Sequence, residues 1–114
     1  MGLLTGKFAP GSTFPADDVR HAAQWHPGFA DGRPTADWLT RLTAIRDVLT
    51  SDGRTVAQGA LAWIWARSPR TVPIPGFRTV RQVEENCQAM AAGPLNAGQL
   101  AEIDAILSRV PATS

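Results

Sequence analysis

Thr71–Asn86 reads TVPIPGFRTVRQVEEN. Val72 and Ile74 alternate with Pro73 and Pro75, and the run enters a turn at Gly76-Phe77-Arg78. The apolar run predicts a short strand. Each proline removes a ladder donor, but at alternate positions the lost donors all point to one edge, and the strand remains feasible. Thr79-Val80-Arg81-Gln82 has the spacing of a capping box: the threonine accepts from one free N–H and the glutamine reaches back to another. A helix therefore opens directly after the turn. Its first N–H groups are unpaired and carry partial positive charge, and such a terminus suits a phosphate. Gly76 lets backbone approach a ligand closely. Arg78 can grip phosphate oxygens through two parallel hydrogen bonds. The stretch points to a phosphate-bearing ligand and says little about a reaction.

Downstream, this helix is expected to reach about Ala91, with Val83, Cys87 and Met90 as its inward stripe. That placement makes Cys87 a core residue and not a nucleophile. Gly93-Pro94 ends the helix. Asn96 caps the last one, with Gln99 three residues on and Leu95 placed to staple against Leu100. Leu100, Ile103, Ile106 and Leu107 are its apolar face, and the tail beyond is expected to fray.

Upstream, Thr55-Val56-Ala57-Gln58 is another capping box, opening a helix that runs to Arg67 and stops before Pro69. Ala57, Ala60, Leu61, Ile64 and Trp65 are expected inside. The small residues Ala57, Gly59 and Ala60 predict a close approach to a sheet. An earlier helix spans residues 36 to 50, capped by Thr35 or Asp37. Trp38, Leu39, Leu42, Ile45, Val48 and Leu49 share one face at helical spacing. Asp52-Gly53 stops it, with Gly53 able to adopt the left-handed terminal conformation. Two helices with a short turn invite a DNA-binding reading. AQGALAWIWAR, however, puts apolar residues where a groove-reading helix needs polar ones.

Residues 9 to 34 carry four prolines and three glycines. A long stretch without regular structure is a lid, a binding loop or a linker. Phe14, Val19, Trp25 and Phe29 favour a loop that packs. Anchoring the loop is a simpler role for Trp25 than lining a pocket. His21 and His26 have no partner at metal spacing, so neither is assigned a metal or catalytic role. At the start, MGLLTGKF resembles a phosphate loop but fails as one. Its glycines are one residue too close, and Phe8 stands where a metal-binding Ser or Thr is needed. Lys7 is either a solvated turn residue or a neighbour of a bound pyrophosphate.

The 114 residues fit one domain, with 44% apolar and 18% charged residues. This composition is globular. A formal net charge of +1 is far from a nucleic-acid binder's strongly basic balance. A single cysteine excludes an internal disulfide framework and fits a reducing, cytoplasmic compartment. No window approaches the ~18 uninterrupted apolar residues of a membrane helix. Gly6 stands where a myristoylation signal needs Ser or Thr.

Four helices and one strand in the order helix, strand, helix indicate a parallel β/α unit. A lone strand leaves both edges unpaired. The expected fold class is therefore α/β: the end of a larger β/α protein such as a barrel, mostly helical, with one or two short strands. Without the barrel, helices 36–50 and 55–67 are expected to expose a large apolar patch. Barrel sites form at the carboxyl ends of strands, with phosphate often held near the last two.

GLLTGK, ALAWIWARSP and IPGFRTVRQVEEN together resemble the aldo-keto reductases, more narrowly the bacterial branch related to the potassium-channel β-subunits. The resemblance covers residues 1–114 in order and implies the C-terminal fragment, the last third, of a (β/α)8 barrel. It implies reduction of aldehydes and ketones with NADP(H) as cofactor. It also implies that Gly76 meets the adenosine phosphate and that Arg78 contacts the 2′-phosphate. Gln82 would reach the adenine-ribose end, and Glu85 and Asn86 the adenine. Gly2, Leu3 and Lys7 would cover the pyrophosphate. The family's catalytic Asp, Tyr, Lys and His have no counterpart here, and the chain contains no tyrosine. No catalytic residue and no metal ligand is assigned, and the chain alone is expected to be inactive. A carbonyl substrate belongs to the full-length protein. The competing reading is a truncated, non-catalytic NADP-binding or protein-interaction remnant.

Overall fold

The structure, a computed structural model, describes residues 3–6, 9, 11–18, 20–21, 28–30 and 32–108. They fall into two compact units that divide between Ala44 and Ile45.

The first unit holds a 3-10 turn at Leu3–Thr5, strands β1 (Phe29–Ala30) and β2 (Arg33–Pro34), and the start of helix α1 (Ala36–Thr50). The strands are antiparallel, with Phe29 opposite Pro34 and Ala30 opposite Arg33. Gly32 has a φ of +71°, and a β-carbon there would stand 2.5 Å from His21 Nδ1. Only glycine meets both demands. Leu3, Phe14 and Phe29 form a buried cluster on which Trp38, Leu39 and Leu42 pack. Phe14 and Phe29 meet edge to face at 5.5 Å, a favoured aromatic geometry. The Phe14 N–H donates to the Gly32 carbonyl, 3.2 Å away. Arg20 lies 4.5 Å above the Phe14 ring and grips Asp18 with two hydrogen bonds, of 2.9 and 2.6 Å. That guanidinium holds the Asp18 carboxyl well below its usual range, at about 2. The apolar residues of the long loop thus build their own small core. Val19, Trp25 and His26 lie outside the described residues.

The second unit holds the last turns of α1 with α2 (Val56–Arg67), α3 (Val80–Ala92) and α4 (Ala97–Leu107). Each of the last three helices opens on a complete capping box, at Thr55/Gln58, Thr79/Gln82 and Asn96/Gln99. Gly53 after α1 and Gly93 after α3 both have positive φ. Leu49, Leu61, Ala62, Ala89, Leu95 and Ile103 are buried. The Leu95 N–H donates to the Ala62 carbonyl at 3.1 Å, fastening the start of α4 to α2. Asp104, buried on α4, faces Arg67 of α2 at 3.5 Å.

The expected helices are all present, but four packing expectations are corrected. Thr71–Pro75 forms no strand among the described residues; Val72 and Ile74 are exposed. Two prolines remove donors, and no second strand lies alongside. The two short strands sit instead at residues 29–30 and 33–34. On α3, Cys87 and Met90 are exposed and Ala89 is buried. Val83 is half-buried, as are Glu85 and Asn86 beside the buried Ala89, and Gln58 of α2 bonds the Glu85 carbonyl on that side. The smallest side chain there permits the approach, and bulk alone misassigned the face. Ala57 is exposed, and Gly59 approaches not a sheet but the end of α1: a β-carbon at Gly59 would stand 2.5 Å from the Leu49 carbonyl oxygen. Among the described residues the large exposed apolar side chains are Val72, Ile74, Phe77, Val80 and Met90, not the faces of α1 and α2.

Candidate functional site

The turn from Gly76 to Thr79 sits at the start of α3, and Gln82 organises it. The Gln82 side-chain oxygen accepts from the Arg78 N–H at 2.6 Å and from the Thr79 N–H at 3.3 Å. The Thr79 hydroxyl accepts from the Gln82 N–H at 3.2 Å. These bonds form because Thr79 holds extended backbone (φ −131°, ψ 156°), the usual conformation of an N-cap. Asn86, one turn further, donates through Nδ2 to the Gly76 carbonyl at 3.4 Å. Gly76, Arg78, Gln82 and Asn86 are thus drawn into one structure.

The cap leaves two amides. The Val80 and Arg81 N–H groups, at the first positions of the helix, have no intrahelical acceptor and no other acceptor among the described residues. Arg78 and Arg81 are exposed, the first turn holds no acidic residue, and neither arginine belongs to an ion pair among the described residues. A β-carbon at Gly76 would meet nothing within 4 Å, so the backbone there is open to an approaching group. The local field is positive and its donors are free, a combination that favours an anion.

Two residues position this helix in ways the sequence did not reveal. Gln58, legible only as a capping residue, accepts from the Thr55 N–H through Oε1 and donates through Nε2 to the Glu85 carbonyl at 3.0 Å. The second bond ties α2 to the middle of α3. Arg54 reaches the other end. Its Nη2 donates to the carbonyls of Ala92, Gly93 and Pro94, at 3.1 to 3.4 Å. A guanidinium there satisfies orphan carbonyls and complements the helix dipole. An arginine just before a capping box was the available signal.

Glu85 is half-buried on the face toward α2. Leu3 belongs to the first unit, where its side chain is buried with Phe14 and Phe29. Gly2 and Lys7 lie outside the described residues. Among the described residues no group of three His, Cys, Asp or Glu could hold a metal. No helix among them is long and apolar enough to cross a membrane.

The site is a positively charged helix start with free amides, and comparison with known proteins names the family. The Aldo/keto reductase family matches residues 1–108. This chain belongs to the aldo/keto reductase family. It is 33% identical over 89 residues to an aldo-keto reductase of Schizosaccharomyces pombe whose name specifies NADP(+), covering 78% of this chain and 25% of the relative. It is 29% identical over 111 residues to a probable voltage-gated potassium channel subunit beta of Oryza sativa, covering 96% and 33%. It is 31% identical over 105 residues to an L-glyceraldehyde 3-phosphate reductase of Escherichia coli, covering 91% and 30%. The chain thus spans a quarter to a third of the length of these relatives. No solved structure matches it.

Proposed function

We propose that this chain is the cofactor-binding portion of an NADPH-dependent aldo/keto reductase, within a (β/α)8 barrel, acting on a small carbonyl substrate in a cytoplasmic compartment. The observation that carries the reading is the unpaired, exposed Arg78 guanidinium beside the two unclaimed amides of α3. NADPH supplies a hydride when bound. The residues of this chain bind and orient it. Arg78 takes the 2′-phosphate by two parallel N–H···O bonds, a geometry lysine does not offer. The Val80 and Arg81 amides add the helix dipole. Gly76 brings bare backbone to the adenosine phosphate. Gln82 keeps its amide nitrogen for the adenine-ribose end, while Glu85 and Asn86 serve the adenine edge. Gly2, Leu3 and Lys7 cover the pyrophosphate in the same reading. The chain has no tyrosine to give a proton to a carbonyl oxygen, so it oxidises no NADPH with an aldehyde by itself.

Calorimetry with the chain tests the cofactor reading. Arg78→Ala lowers NADPH affinity about ten- to hundredfold, which corresponds to about 1.4–2.8 kcal/mol from a charge-assisted contact. NADH binding, which lacks the 2′-phosphate, stays the same. Equal affinity of the native chain for NADPH and NADH contradicts the reading.

A further inference from the structure

Gln58 makes two bonds of different kinds. Its Oε1 accepts from the Thr55 N–H at 3.1 Å and completes the capping box of α2. Its Nε2 donates to the Glu85 carbonyl, in the middle of α3, at 3.0 Å. The second bond is not needed for the integrity of α3, because an α-helical carbonyl already accepts from the N–H four residues on, here that of Ala89. It serves placement instead. Ala89 is the buried residue of α3, and a single methyl interlocks with little. A directional bond is what fixes where α3 lies along α2.

The Gly76–Thr79 turn in turn depends on α3. Every residue from Ile74 to Gln82 is exposed, so no packed side chain holds the turn. Among the described residues its side-chain bonds come from α3. Gln82 takes the Arg78 and Thr79 amides, and Asn86 Nδ2 donates to the Gly76 carbonyl at 3.4 Å. Asn86 directly follows Glu85 in the chain. A line of contacts thus runs from the start of α2 through Gln58, Glu85 and Asn86 to Gly76. We propose that Gln58 is a positioning residue for this turn: by donating to the Glu85 carbonyl it sets, from α2, the place of Gly76, Arg78 and the free amides of α3. It touches no ligand itself. As a determinant of nucleotide affinity it rests on the cofactor reading above.

Two substitutions separate the two bonds. Gln58→Glu keeps an acceptor for the Thr55 N–H, since glutamate serves a capping box as glutamine does, but it turns a carboxylate oxygen toward the Glu85 carbonyl. Gln58→Lys keeps a donor for that carbonyl and loses the acceptor, and it sets a cation at a helix start, where it destabilises. A merely structural role makes affinity follow the melting temperature, whereas a positioning role makes it follow the donor. In 15N spectra taken without nucleotide, Gln58→Glu is expected to move the Gly76 backbone and Asn86 side-chain amide signals at least twice as far as Gln58→Lys does. By calorimetry, Gln58→Glu weakens NADPH binding at least fivefold, and Gln58→Lys stays within twofold of native although it melts lower than Gln58→Glu. Unmoved Gly76 and Asn86 signals in Gln58→Glu overturn the proposal, as does an affinity that falls in the order of the melting temperatures. The spectra contain no nucleotide, so they decide the coupling on their own; a native protein that binds no NADPH refutes the cofactor reading alone.

Discussion

Replacing Gly59 with alanine sets two effects of known sign against each other. Gly59 lies inside α2, where alanine is favoured by about 1 kcal/mol on intrinsic helix propensity. The structure opposes that gain. A β-carbon at position 59 would stand 2.5 Å from the Leu49 carbonyl oxygen and 2.6 Å from the Leu49 Cβ. Leu49 is 2% exposed, and the oxygen belongs to backbone, so no flexible side chain can swing away. Restoring ordinary contact requires α1 and α2 to part by nearly 1 Å. Overpacking of a well-packed site costs about 1–3 kcal/mol. The net effect is destabilisation of about 1 kcal/mol, or about 4–8 °C in Tm for a domain of this size. Gly59→Val, which has poorer helix propensity and greater bulk, costs more. Gly76→Ala serves as the contrast: the site is open and its φ is not positive, so stability is unchanged or slightly raised. Thermal melts of the three variants, followed by far-UV circular dichroism, give the comparison. A Tm for Gly59→Ala above that of the native chain would refute the reasoning, because propensity would then act unopposed and the α1–α2 contact would not exist.

Three further outcomes are expected. Arg54→Ala removes the clasp on the Ala92, Gly93 and Pro94 carbonyls and destabilises the chain by about 2 kcal/mol in urea titration, with Arg54→Lys restoring only part because lysine cannot fork. Arg67→Met leaves the buried Asp104 carboxylate without its partner and costs about 3 kcal/mol, whereas the double variant Arg67→Met, Asp104→Leu regains most of that loss, as buried pairs replaced by apolar residues commonly do. The Asp18 carboxyl, titrated by NMR, has its midpoint at about 2 instead of the usual 3.8. A lowered folded value means that its stabilising contribution is fully present above pH 4 and is lost as pH falls from about 4 through 2. Arg20→Ala returns the midpoint to the ordinary range.

The helices were legible because their start signals are local. A capping box needs only two side chains three residues apart, and Thr55/Gln58, Thr79/Gln82 and Asn96/Gln99 all close as the spacing indicates. Gly53 was readable for the same reason, since positive φ at a helix end is a property of one residue, and Gly93 was readable as a helix stop. What lay beyond the sequence is what depends on a neighbour. Cys87 and Met90 are apolar at helical spacing, yet the face that packs is chosen by Gln58 bonding Glu85 and by the small Ala89. Val72 and Ile74 have strand character, but a strand needs a second strand, and the described residues place none beside them. The turn at Gly76 to Thr79 was legible in its residue types. The bond from the Thr79 amide to Gln82 Oε1 belongs to the capping box; the second bond to that oxygen, from the Arg78 amide, was not legible, because Arg78 lies outside the box. The partners of Arg54 were not legible, because those carbonyls lie 38 to 40 residues away.

The most direct test of the phosphate turn is a titration of the 15N-labelled chain with NADPH and with NADH, followed through backbone amide shifts. The account predicts that NADPH moves the Gly76, Val80 and Arg81 amides most, that NADH moves them weakly, and that Arg78→Ala reduces the NADPH response to the NADH level. Shifts of equal size with both nucleotides, or none at Gly76, Val80 and Arg81, would contradict it.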